Sequence, residues 1–69
     1  MFIELEQCYD SKKELVNVKN ICAMTDVADH VEYGDCLRIL FNGGNKTMYY
    51  AHTQDILDYC QKLGLNVQA

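Results

Sequence analysis

The chain has 69 residues, 49% apolar and 23% charged, with no Pro and a formal net charge of −4. That length allows one small domain with a single core, and the apolar content excludes a disordered chain. Six Lys and Arg against ten Asp and Glu exclude the strongly basic surface on which duplex-binding proteins rely for phosphate neutralisation.

Residues 2–9 alternate apolar and polar side chains, which predicts a strand with one charged face. Asp10-Ser11-Lys12-Lys13 reads as a polar turn. Residues 15–24 are rich in Val and Ile and predict a second strand, bent where Lys19-Asn20 break the alternation. Residues 26–35 read as a connection between strands. Their acids Asp26, Asp29, Glu32 and Asp35 recur every three residues, so a short helical turn would line them along one side. Together with Tyr33 they form a candidate docking patch for a basic partner surface. An EF-hand is not written here, because its ligands alternate through the loop and end on Glu.

Residues 36–41 predict a third strand, Asn42-Gly43-Gly44-Asn45 a hairpin turn, and residues 46–51 a fourth strand. A helix follows. Thr53 suits an N-cap, Asp55 favours the positive end of the helix dipole, and Ile56, Leu57, Cys60 and Leu63 share one face. Lys62 and Gly64 are stop signals, Leu65 is placed to fold back onto the last turn, and residues 66–69 read as a tail. The order β-β-β-β-α predicts an α+β domain: an antiparallel sheet of about four strands followed by one C-terminal amphipathic helix.

The chemistry-bearing residues do not assemble into a known catalytic or metal pattern. His30, Cys36, His52 and Cys60 lie six, sixteen and eight residues apart, whereas a structural zinc site wants two close ligand pairs. No nucleophile elbow, phosphate loop or zinc-protease helix is written, and Gly43-Gly44 is explained by the hairpin. His52 reads as the residue leading into the helix. Cys8, Cys22, Cys36 and Cys60 read as reduced, buried structural thiols. No enzyme activity, catalytic residue, cofactor or metal is expected. Apolar runs stop at tetrapeptides such as Ile21-Cys22-Ala23-Met24, far short of a membrane span, and Glu4 and Glu6 interrupt any signal peptide. A cytoplasmic location without membrane association is the expectation.

One short helix covers one face of a four-stranded sheet, yet the third and fourth predicted strands carry apolar residues on both. The sheet therefore either curls into a barrel-like form or packs on another chain, and a homo-oligomer, a dimer first, is expected. Alternation sends Tyr49 and Tyr50 to opposite faces, and Met48, Tyr50, Leu40 and Arg38 are the candidate interface. The expected function is a non-enzymatic module that binds a protein and blocks it sterically. A nucleic-acid-binding sheet using Lys12, Lys13, Lys19, Arg38 and Tyr49 or Tyr50 is the alternative. A small-ligand binder at a subunit interface is a third.

Three segments, Val16-Asn17-Val18-Lys19-Asn20-Ile21-Cys22-Ala23-Met24, Ile39-Leu40-Phe41-Asn42-Gly43-Gly44-Asn45-Lys46 and Thr53-Gln54-Asp55-Ile56, resemble the small flagellar FlbD/SwrD proteins. Those proteins pair an Asn-x-x-x-Ile step with a strand ending in Asn-Gly and a short helix. The resemblance implies a flagellar accessory role. Residues 27–35 have no counterpart in that family. The run of strands before a helix is also similar to LytTR DNA-binding domains and to positive-cofactor-type single-strand binders, whose basic residues are not evident here. The small acidic single domain further resembles, in type, accessory inhibitors of phages and mobile elements.

Overall fold

The alternation at the start of the chain produces strand β1 (Phe2–Glu6), which pairs antiparallel with β2 (Lys13–Asn17) in a computed structural model describing residues 1–43 and 46–68. Ile3, Leu5 and Val16 point inward and are buried, while Phe2 and Leu15 face out at 60% and 67% exposure. The reversal between them is a polar turn as expected: the Asp10 carboxylate accepts from the Lys12 amide at 3.0 Å, and Ser11 takes a positive φ of 60°. Lys13 and Glu4 pair at 3.6 Å on the exposed side, where solvent screening leaves little net stabilisation.

The predicted second strand is divided. The Asn17 side chain accepts from the Lys19 amide at 3.1 Å and caps a single 3₁₀ turn, Val18–Asn20. Asn competes with the ladder for its own backbone in this way. The chain re-emerges as β3 (Ile21–His30), which runs straight through the first half of the acidic segment and pairs antiparallel with β4 (Gly34–Phe41). The expectation of a connection over residues 26–35, with acids spaced along one side of a helical turn, is therefore corrected: only residues 31–33 form the reversal. Gly34 at φ +68° closes it, and Asp29 at φ 57° lies where the register shifts between Val27 and His30.

β5 (Thr47–Ala51) returns antiparallel on β4, with Phe41 N–H donating to the Lys46 carbonyl at 2.9 Å. Gly44 and Asn45 of the predicted hairpin turn lie outside the described residues. The helix α1 (Gln54–Lys62) begins and ends as expected. The Thr53 hydroxyl accepts from the Ile56 amide at 3.2 Å, Gly64 sits at φ +78°, and the Leu65 amide folds back onto the Cys60 carbonyl at 3.0 Å. The predicted tail instead holds β6 (Val67–Gln68), parallel to β3 at Met24 and Thr25.

The fold is thus α+β, mostly strand with one C-terminal helix, but built from a two-stranded and a four-stranded sheet. The larger sheet, in the order β5-β4-β3-β6, is mixed rather than purely antiparallel. A bridge between Gln7 and Tyr50, and a 3.0 Å bond from Cys8 N–H to the Tyr49 carbonyl, join the two sheets. The strands therefore follow one another as β2-β1-β5-β4-β3-β6 around a curled wall. An open cleft of about 340 Å³ lies where β2 faces the end of β4, lined by Val16, Asn20, Phe41 and Asn42 among others. Inside the wall Ile3, Leu5, Val16, Met24, Leu37, Ile39 and Tyr50 meet Cys60 of α1, and Ile56, Leu57 and Leu63 pack against them. The sequence-predicted helix face is the one that closes this core.

Candidate binding face

Strand pairing lays out the outer face of the large sheet as a grid. Ala23, Leu40 and Thr47 form one row, Thr25, Arg38 and Tyr49 the next, and Val27, Cys36 and Ala51 the third. The helix and the apolar side of the β1–β2 hairpin pack on the other side. The end of that hairpin reaches Tyr49 at the sheet edge, and the first two rows are left largely to solvent. Ala23, Arg38 and Thr47 are exposed, and Leu40 and Tyr49 half-buried. The first two rows line a shallow depression of about 390 Å³. Cys36, flanked by Val27 and Ala51, is fully buried although it lies outside the core cluster. Burial pushes its thiol up, and the Arg38 guanidinium partly opposes that.

An aromatic cluster stands beside the grid. His30 stacks on Tyr33 at 5.1 Å with the rings 15° apart, and tilts onto Tyr49 at 4.7 Å. Tyr33 and Tyr49 are 5.6 Å apart at 41°, within the range where aromatic pairs attract. The ring of His30 is fixed by its own turn, because Nδ1 accepts from the Glu32 and Tyr33 amides at 3.1 and 3.3 Å. Accepting both bonds needs the lone pair on Nδ1, which places the ring proton on Nε2. A second hollow of about 240 Å³ opens on the far side of this cluster, lined by Gln7, Tyr9, Tyr33, Thr47, Met48 and Tyr49. Desolvation, and next the Glu32 carboxylate, hold the Tyr33 hydroxyl above its ordinary range.

The candidate residues from sequence are only partly brought together. Tyr49 and Tyr50 do take opposite faces, but the proposed set of Met48, Tyr50, Leu40 and Arg38 is split. Tyr50 opposes Leu37 and Met48 opposes Ile39 on the inner side, while Arg38 and Leu40 lie outside. Tyr50 is fully buried and donates to the Glu14 carboxylate at 2.6 Å. Burial first, and this bond second, push its hydroxyl well above the usual phenol range. Met48 is half-buried and reaches the rim of the second hollow.

The acidic set divides as well. Asp26 points to the helix side, where its Oδ1 lies 3.0 Å from Nε2 of His52. The contact departs from hydrogen-bond alignment, and among the described residues that nitrogen has no other partner. Asp35 accepts from the Asp29 amide at 3.1 Å and pins the irregular end of β3. Asp29, Glu32 and Asp35 are exposed near the tip of the β3–β4 hairpin, next to the aromatic cluster.

The basic residues do not converge. Lys12 and Lys13 stand at the β1–β2 turn, Lys13 already paired with Glu4, and Lys19 sits on the 3₁₀ turn at the other end of β2. Only Arg38 lies on the outer face. All four cysteines are free; Cys36 and Cys60 are buried, but Cys8 is half-buried and Cys22 exposed, against the expectation that all four are buried. Among the described residues no three His, Cys, Asp or Glu side chains group as metal ligands, and no helix is long and apolar enough to cross a membrane. Sequence reasoning passed over His30 and Tyr9 as binding residues. The signal for His30 was its place three residues before Tyr33 and directly before a tight reversal. No family model, curated protein or solved structure matches the chain.

Proposed function

We propose that the protein is a non-enzymatic binding module that docks another protein on the outer face of β3, β4 and β5. The observation that carries this reading is the stack of His30, Tyr33 and Tyr49 beside Arg38, on a face that the chain's own helix does not cover. Tyrosine and arginine are the residue types that concentrate binding energy at protein interfaces. The exposed acids Asp29, Glu32 and Asp35 at the rim favour a partner with basic residues around its contact patch. The mechanism is steric, with the bound face covering a surface the partner needs free.

The scattered lysines and the net charge of −4 favour a protein over nucleic acid as the partner. A second copy of the chain is one protein that would serve, and light scattering at tens of micromolar distinguishes it from a foreign partner. The test is quantitative binding to a partner recovered from the native host and then purified. Arg38→Glu and Tyr49→Lys should each weaken binding at least tenfold while leaving the thermal midpoint within a few degrees of wild type. Undiminished binding by both variants defeats the proposal, as does binding to single-stranded DNA that falls steeply with salt.

A further inference from the structure

We infer that the hollow between Tyr9, Tyr33 and Tyr49 is a cation site, which accepts a lysine or arginine side chain presented by the docked partner. The inference deepens the docking reading above and rests on it for the identity of the occupant. Three of the six side chains lining this hollow are tyrosines, one is the thioether of Met48, and none carries positive charge. The Tyr33 and Tyr49 rings meet at 41° with centroids 5.6 Å apart, so they form two adjoining walls rather than one flat stack. Tyr9 stands on a different element, in the β1–β2 turn, and supplies a third wall.

The faces of such rings are negative and attract an ammonium or guanidinium held over them, and rings set at an angle share one cation. Gln7 adds a side-chain carbonyl able to accept from it. Glu32 neighbours Tyr33 and Asp10 neighbours Tyr9, with Lys12 in the same turn, and the chain as a whole carries −4. Arg38 lines the other depression, on the opposite side of Tyr49. The volume, about 240 Å³, falls below the range of sites for drug-sized ligands. It suits the end of one long side chain, and Tyr9, at 82% exposure, leaves its mouth open to an incoming partner.

The test uses choline as a cationic probe and 3,3-dimethylbutan-1-ol as its uncharged isostere, with the intact protein followed by ring-proton NMR. Choline should give saturable shifts at Tyr9, Tyr33 and Tyr49, with a midpoint on the order of 10 mM, while Tyr59 on the helix serves as the internal control. The neutral alcohol should bind at least fivefold more weakly. Tyr9→Leu and Tyr33→Leu keep apolar bulk but remove the ring, and each should weaken choline about two- to fivefold; Tyr9 is exposed enough that its loss leaves the fold unaffected. Equal binding of the alcohol, shifts spread equally to Tyr59, or no shift at all overturns the site. If choline binds as expected while Arg38→Glu and Tyr49→Lys leave partner affinity unchanged, the cation site stands and the docking face fails. The reverse result leaves the docking face standing and removes the site.

Discussion

Replacing Tyr50 with Phe removes one hydroxyl from the centre of the curled sheet and should lower stability by about 1–2 kcal/mol at pH 7. The lost bond runs 2.6 Å to the Glu14 carboxylate, a charge-assisted length, and such bonds are typically worth about 1.5–3 kcal/mol. The figure is reduced because Glu14 is half-exposed, so water rehydrates the freed carboxylate. The Phe ring keeps the apolar contacts with the core. For a domain this small, the loss corresponds to a fall of about 5–15 °C in the thermal midpoint. The pH dependence separates this hydroxyl from generic packing. Native Tyr50 holds its proton more tightly than the unfolded chain, whose phenol titrates near 10.0. The contribution is therefore complete below that pH and declines above it, by about 1.4 kcal/mol per pH unit, until the native group also ionises. The gap between wild type and Tyr50→Phe, measured by urea unfolding from pH 7 to 11, should close between pH 10 and 11. A gap below about 0.3 kcal/mol at pH 7, or one that persists unchanged at pH 11, refutes the reasoning.

Three further outcomes follow from the same packing. Ile39→Ala empties a fully buried position opposite Met48 and should cost about 2–5 kcal/mol, read as a lower urea midpoint or as failure to fold. Gly64→Ala forces a side chain into φ +78° where the helix stops and should cost about 1 kcal/mol, whereas Gln61→Ala on the exposed helix face should stay within about 0.5 kcal/mol of wild type. Under native conditions a thiol reagent should label exposed Cys22 first. Cys36 and Cys60, buried and with thiols raised by that burial, should react only as fast as the protein unfolds, as mass spectrometry of a labelling time course would show.

The helix and the β4–β5 pair were legible in the sequence because their signals are local. Thr53, the apolar face from Ile56 to Leu63 and the Gly64 stop all act within a few residues. The strand through residues 21–30 was not legible beyond Met24. Exposed Asp29, and Asp26 on the inner side where it meets His52, gave a strand the composition of a loop. Face assignment failed for a different reason. Alternation says that Tyr49 and Tyr50 diverge, but which of them meets Arg38 depends on the β4–β5 register, which alternation alone does not give. The aromatic cluster and the hollow beside it needed three elements at once: the His30 turn, the β5 register and the Tyr9 turn. β6 is two residues long and leaves no pattern to read.

The bridge from Gln7 to Tyr50 also bears on how the chain is made. The first hairpin is complete once Asn17 has been synthesised, yet the apolar side carrying Ile3, Leu5 and Val16 meets its main partners only when Tyr50 and Cys60 exist. At ribosomal speeds of about 5–20 residues per second, that interval is roughly 2–9 s. During it the nascent chain carries an unfinished apolar surface, a target for chaperones and for neighbouring nascent chains. A message truncated between the codons for Asn17 and Tyr50 would release a polypeptide whose first hairpin has nothing to close it.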